Sequence, residues 1–162
     1  MAYQGSIIAI AISLLFLQAL VHGTDCPDRW IAYRGSCYLF AHGGPLSFYE
    51  AVHYCNQHNG GHLVHINDQV ENLFIKDELR SIKADDTWIG LTDEATEGLW
   101  EWYDTHTSPT FTDWNPGEPN SNSGNEDCAA TKTDLDFRWY DGVCSDKKIP
   151  LCEITGETDV IG

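Results

Sequence analysis

The residues best suited to chemistry lie in one polar stretch, Trp114–Cys128, which reads W-N-P-G-E-P-N-S-N-S-G-N-E-D-C. Glu118, Asn120, Glu126 and Asp127 place carboxylate and amide oxygens close together, and Asp141 follows after the aromatic pair Trp139 and Tyr140. Calcium takes about 6–8 oxygen ligands from such groups on flexible backbone. A cis bond before Pro119 would turn Glu118 and Asn120 to the same side of the loop, although cis X–Pro bonds are a minority. Spacing alone leaves two readings open, a calcium cage and an ordinary solvated loop. Four histidines, His53, His58, His62 and His65, raise the question of zinc. They straddle a predicted helix and a predicted strand, so they read as surface or core residues. No nucleophile elbow, phosphate loop or H-E-x-x-H motif is present, and the sequence points away from an enzyme.

These residues need a frame to hold them. Trp30–Tyr33 and Cys37–Phe40 are short strand-like runs around Arg34-Gly35-Ser36, a hairpin signal. Ser47 is placed to N-cap a helix to about His58, with Glu50 completing a capping box. Phe48, Ala51, Val52 and Cys55 fall at helical spacing. A second helix is predicted from Asp68, with Val70, Leu73, Phe74, Ile75 and Leu79 as its buried face. His62–Ile66 reads as a strand between the helices. Thr87–Leu91, Leu99–Tyr103, Cys128–Thr131, Phe137–Tyr140 and Ile149–Ile154 read as later strands, which makes the fold α+β. Tyr103 to Cys128 shows no periodicity. A loop longer than ~12–15 residues is usually functional or disordered. This one carries Phe111 and Trp114, so it is expected to be ordered.

The chain has 162 residues and a formal charge of −16. That balance argues against nucleic acid, whose binding needs a basic surface. It suits cations as partners, and equally suits plain solubility. The apolar run from Ile7 to about Val21, ending in Val21-His22-Gly23, reads as a secretory signal peptide over residues 1–23. The run is short for a membrane span, which needs ~20 apolar residues, so no membrane insertion is expected. All six cysteines follow it. An even count in a small secreted domain implies three disulfides, and spacing does not choose among the pairings.

Several motifs together resemble the C-type lectin domain family. Trp88-Ile89-Gly90-Leu91 is similar to that family's W-I-G-L signature. Glu118-Pro119-Asn120 is similar to its mannose-type motif, Glu126-Asp127-Cys128 follows at the usual distance, and Trp139-Tyr140-Asp141 stands where Trp-Asn-Asp is usual. The match spans nearly all of residues 24–154 and is nearest to secreted single-domain, perlucin-like members, with residues 155–162 a short tail. The resemblance implies the C-type lectin fold, with two helices, antiparallel sheets and a long calcium loop. It also implies the pairs Cys26–Cys37, Cys55–Cys152 and Cys128–Cys144.

It implies, further, a principal Ca²⁺ held by Glu118, Asn120, Glu126 and Asp141, with the same residues bonding two adjacent sugar hydroxyls. The E-P-N order implies equatorial vicinal hydroxyls, as in mannose, fucose or N-acetylglucosamine. Tyr140 departs from the family's Asn. Three outcomes are open: a water in the missing position, stacking of Tyr140 on a sugar, or a disabled site. Asp93 and Glu97, with Asp127, match acids that hold an auxiliary Ca²⁺ in some members, although Ser121 stands where an acid often completes that site. The implied function is secreted, calcium-dependent glycan binding in innate recognition or agglutination, with a homodimer supplying the multivalency. Its rivals are an acidic matrix protein that binds calcium carbonate and a calcium-independent protein-binding module.

Overall fold

The computed structural model describes residues 25–155. The signal peptide read at residues 1–23, and the tail beyond Thr155, lie outside the described residues. The first hairpin joins β1 (Ile31–Tyr33) to β2 (Ser36–Phe40). Its turn residues Arg34 and Gly35 both take positive φ, 50° and 90°, the conformation that lets a two-residue turn follow the twist of the strands.

Helix α1 (Phe48–Gln57) starts where its local signals put it. Ser47 is the N-cap, and the Glu50 carboxylate accepts the Ser47 N–H at 2.8 Å. Phe48, Ala51 and Cys55 face the core. The short strand β3 (His62–Leu63) leads to α2 (Gln69–Ile82), capped by Asp68, whose Oδ1 accepts from the Val70 and Glu71 N–H groups at 2.8 and 2.9 Å.

The buried face of α2 differs from the hydrophobic reading. Glu71, Asn72, Ile75, Lys76 and Leu79 are buried, while Val70 and Leu73 are 54% and 48% exposed. The reason is that distant groups satisfy the inward polar residues. Tyr38 Oη donates to Glu71 Oε1 at 2.7 Å, and Asn72 Nδ2 and Lys76 Nζ both donate to Asp113 Oδ2, at 2.9 and 2.5 Å. A buried polar group with a partner costs little, and such partners are invisible to a periodicity argument.

The remaining strands are β4 (Thr87–Thr92), β5 (Glu101–Trp102), β6 (Cys128–Lys132), β7 (Arg138–Gly142) and β8 (Ile149–Thr155). Strand order is β1-β2-β8-β4-β6-β7, with β3 on β8 and β5 on β4. Among the described strands β4 and β8 alone pair in parallel; the other strand pairings are antiparallel. The pairing Ser36↔Thr155 joins the first hairpin to the last strand.

The W-I-G-L strand is buried along its whole length. Gly90 is required there, because a Cβ at this position would lie 2.7 Å from the Leu63 carbonyl oxygen. One core cluster gathers Ile75, Leu79, Ile89, Leu91, Trp102, Trp139 and Leu151. The other gathers Phe48, Ala51, Trp88 and Ala130 around the disulfide sulfurs. The three disulfides are Cys26–Cys37, Cys55–Cys152 and Cys128–Cys144, the pairing the resemblance implied.

Candidate functional site

The loop after β5 is ordered by anchors at its middle. Trp114 pairs in a bridge with Trp139, stacks edge-on against it at 5.8 Å, and meets Trp100 at 4.8 Å. Asn115 N donates to Trp139 O at 2.8 Å, and Trp139 N to Asp113 O at 2.9 Å. The buried Lys76–Asp113 ion pair ties the same segment to α2. Trp114 is thus a loop anchor.

From these anchors the chain turns at Asn115–Glu118, where Glu118 N donates to Asn115 O at 2.8 Å. The Glu118–Pro119 peptide is cis, and Asn120 Nδ2 donates to Glu118 Oε2 at 2.6 Å. Asp141, 2% exposed on β7, accepts from Asn120 N at 3.0 Å and from Ser121 N at 2.5 Å. Glu126 Oε2 accepts from Asn122 N at 2.8 Å. The Cys128–Cys144 bridge braces β6 against the segment after β7 and so holds the two sides of the cluster together.

Partial burial, then the neighbouring Asp141 and Glu126, push the Glu118 carboxyl up to about 7. Like charges so placed resist joint ionisation. A divalent cation would relieve that repulsion, and carboxylates with an amide oxygen form a donor set that suits calcium.

A second acidic group adjoins the first. Asp93 is 2% exposed; its Oδ2 accepts from Gly98 N at 2.8 Å, and its Oδ1 has no partner. An unpaired buried carboxylate oxygen is costly and calls for a cation or water. Burial, then Glu97 and Asp127, raise the Asp93 carboxyl above its ordinary range. Burial, then Glu97 and Glu94, do the same to Asp127. Ser121 links the groups, its N–H on Asp141 and its Oγ donating to Glu97 Oε2 at 3.1 Å. Glu94, held by the Tyr49 hydroxyl at 2.5 Å, is a member the sequence reading missed, although it directly follows Asp93.

Tyr140 is turned away from the carboxylates. Neighbours in a strand point to opposite faces, so Asp141 faces the loop while the Tyr140 hydroxyl donates to Asp86 Oδ2 at 2.9 Å. Its ring lies beside Lys132 and Lys148, with each ammonium 5.0 and 5.5 Å from the ring centre. Burial, and then Asp86, push its phenol well above the usual range. Asp86 lies 54 residues away in the chain, so no local pattern marks it as the partner.

Two helices against a mixed sheet, three disulfides and this carboxylate-lined loop define a C-type lectin carbohydrate-recognition domain. Residues 44–154 match the lectin C-type domain. C-type lectin domain family 10 member A of Homo sapiens is 38% identical over 148 residues, which is 88% of this chain and 44% of that protein. A perlucin-like protein of Mytilus galloprovincialis is 31% identical over 151 residues, 88% of this chain and 95% of that protein. The C-type lectin domain of murine dendritic cell inhibitory receptor 2, solved in complex with N-glycan, superposes with a TM-score of 0.70 at 32% identity, covering 81% of this chain and 99% of that one. The chain belongs to the C-type lectin domain family. This is a family of binding domains rather than of enzymes. The chain spans less than half the length of the human relative. Among the described residues no helix is long and apolar enough to cross a membrane.

Proposed function

We propose that the protein is a secreted, calcium-dependent lectin for glycans with equatorial vicinal hydroxyls, of the mannose, fucose or N-acetylglucosamine type. Glu118, Asn120, Glu126 and Asp141 are its principal ligand set, and Asp93, Glu97 and Asp127 an auxiliary one. The observation that carries this reading is the convergence of Glu118 and the buried Asp141 on Asn120, which donates its side-chain amide to the first and its backbone N–H to the second. When bound, calcium would supply coordination positions for two adjacent sugar hydroxyls.

The residues of the chain set the selectivity. Glu118 can only accept from a hydroxyl once ionised, whereas the Asn120 amide can donate. That pairing fixes the direction of the hydrogen bonds. Tyr140 supplies no amide to the site, since its side chain turns away and its hydroxyl is committed to Asp86. Affinity for one sugar is then expected to be weak, in the range of ~1 mM or about −4 kcal/mol. A homodimer would supply the second site. The apolar leader-like run and the disulfides support secretion. The glycan-bound murine relative supports the ligand class.

The test is a calorimetric calcium titration of the domain, followed by mannose, for the wild type and Glu118→Gln. Calcium binding that Glu118→Gln weakens at least ~10-fold, with mannose heat only when calcium is present, is the expected result. No calcium binding at millimolar concentration would overturn the reading. The readings as an acidic matrix protein that binds calcium carbonate and as a calcium-independent protein-binding module would then take its place.

A further inference from the structure

Away from the calcium loop, β3 with the segment just after it and the turn after β5 bring two histidines and an aspartate together. One ligand atom from each of His62, His65 and Asp104 lies within 4.8 Å of the others. His65 Nε2 donates to Asp104 Oδ1 at 2.6 Å, and His62 Nδ1 lies 4.0 Å from Asp104 Oδ2. His53 and His58 are elsewhere, on Gln57 and on the Tyr54 carbonyl. The fold therefore selects two of the four histidines and adds an acid from a distant turn.

We propose that His62, His65 and Asp104 form a binding site for a transition-metal dication, zinc above all. Imidazole nitrogens favour such ions, whereas calcium prefers a shell of about 6–8 oxygens. Two imidazoles and one carboxylate leave a fourth tetrahedral position open to water or to an added ligand. Zinc bonds of ~2.0–2.1 Å put neighbouring ligand atoms about 3.3 Å apart, so the set must draw in from its 4.8 Å spread, and His62 Nδ1, now on the Leu63 carbonyl at 2.9 Å, must leave that bond if it is the ligand atom. In the metal-free protein the Nε2 proton of His65 lies between the imidazole and Asp104. To take the ion on Nε2, the neutral imidazole carries its one proton on Nδ1 instead, so the tautomer changes as the ion replaces the hydrogen bond to Asp104.

The ligands stand on rigid elements. The His65 ring is stacked flat on Trp102, 4.5 Å between centres and 14° between planes. The His62 ring lies 4.4 Å from it. His65 N donates to the buried Glu153 carboxylate at 3.1 Å. The N–H of Tyr103, next to Asp104, donates to Gly90 O at 2.8 Å. The close approach of Gly90 to Leu63 and His65 holds β3 and the β4–β5 pair together. Side chains so fixed have little entropy to lose on binding. The site is also reachable, with side-chain exposures of 26% for His62, 14% for His65 and 36% for Asp104.

The experiment is a calorimetric titration of zinc chloride into chelator-stripped protein held in millimolar calcium, which occupies the acidic loop. One equivalent of zinc is expected. His62→Gln and Asp104→Asn should each weaken it by ~10–100-fold with unchanged thermal unfolding of the zinc-free protein. Both alter partly exposed side chains, so the outcome does not depend on whether His65→Gln folds. Copper should quench Trp102 fluorescence through the stacked His65 in the wild type and less in either variant. Absence of zinc binding at 100-micromolar concentration, or zinc affinity unchanged by both substitutions, overturns the site.

Discussion

Calcium binding to the proposed site should expel a proton from Glu118, and the amount should depend on pH in a set way. In the metal-free protein this carboxyl is held up to about 7, first by partial burial and then by Asp141 and Glu126. A metal ligand must be ionised. The proton released per calcium at Glu118 is then about 0.9 at pH 6, about 0.5 at pH 7 and about 0.1 at pH 8. Calcium titrations in two buffers of different ionisation enthalpy measure this number directly. Glu118→Gln should abolish the pH-dependent part.

Stability should move with the same group. A carboxyl whose folded value lies above its unfolded one favours the folded state at pH below ~4.5, and that contribution is lost as pH rises through about 7. The calcium-free protein should therefore gain stability on acidification from pH 8 to pH 5. The gain is on the order of 1 kcal/mol once solvent screening of a partly exposed group is allowed for. Asp93 and Asp127, also raised, act in the same direction. With calcium bound the trend should reverse, because protons then compete with the ion. Equal proton release at pH 6 and pH 8, or release that survives Glu118→Gln, would refute the reasoning.

Two further outcomes follow from the geometry. Tyr140→Asn should leave calcium affinity unchanged, since position 140 points away from the carboxylates, while losing ~1–3 kcal/mol of stability as Asp86 loses its hydroxyl donor; calcium titration with chemical denaturation reads both, and tighter calcium binding would refute the orientation given to this position. Asp113→Asn should strand the buried Lys76 ammonium and cost ~3–5 kcal/mol in a denaturation experiment. A loss below about 1 kcal/mol would mean that this pair does not hold the loop to α2.

What the sequence determined by itself were the features written in contiguous residues. Ser47 with Glu50 and Asp68 marked both helix starts, since a cap is a bond between neighbours a few residues apart. Arg34-Gly35 marked the hairpin, and the run of buried residues at Trp88–Leu91 marked a central strand. Phe111 and Trp114 showed that the long loop would be ordered, and both pack on Trp139. The acids of the binding loop were legible for the same reason: Glu118, Asn120, Glu126 and Asp127 lie within one turn-rich stretch.

Tertiary structure decided whatever depends on partners far along the chain. The cysteine spacing allowed many pairings, and the motif resemblance rather than that spacing pointed to the pairing the fold adopts. Val70 and Leu73 looked like a core face, yet α2 turns Glu71, Asn72 and Lys76 inward. Tyr38, Asn67 and Asp113 supply the hydrogen bonds that make this affordable. Tyr140 resembled a binding-site residue by position, and strand alternation sent its hydroxyl to Asp86 instead. His62 and His65 looked unremarkable until β5 delivered Asp104 beside them. For the inward face of α2 the deciding quantity is the desolvation of its polar groups. Its cost is set by which atoms lie within about 3 Å, and a linear pattern of residue types carries no record of those distances.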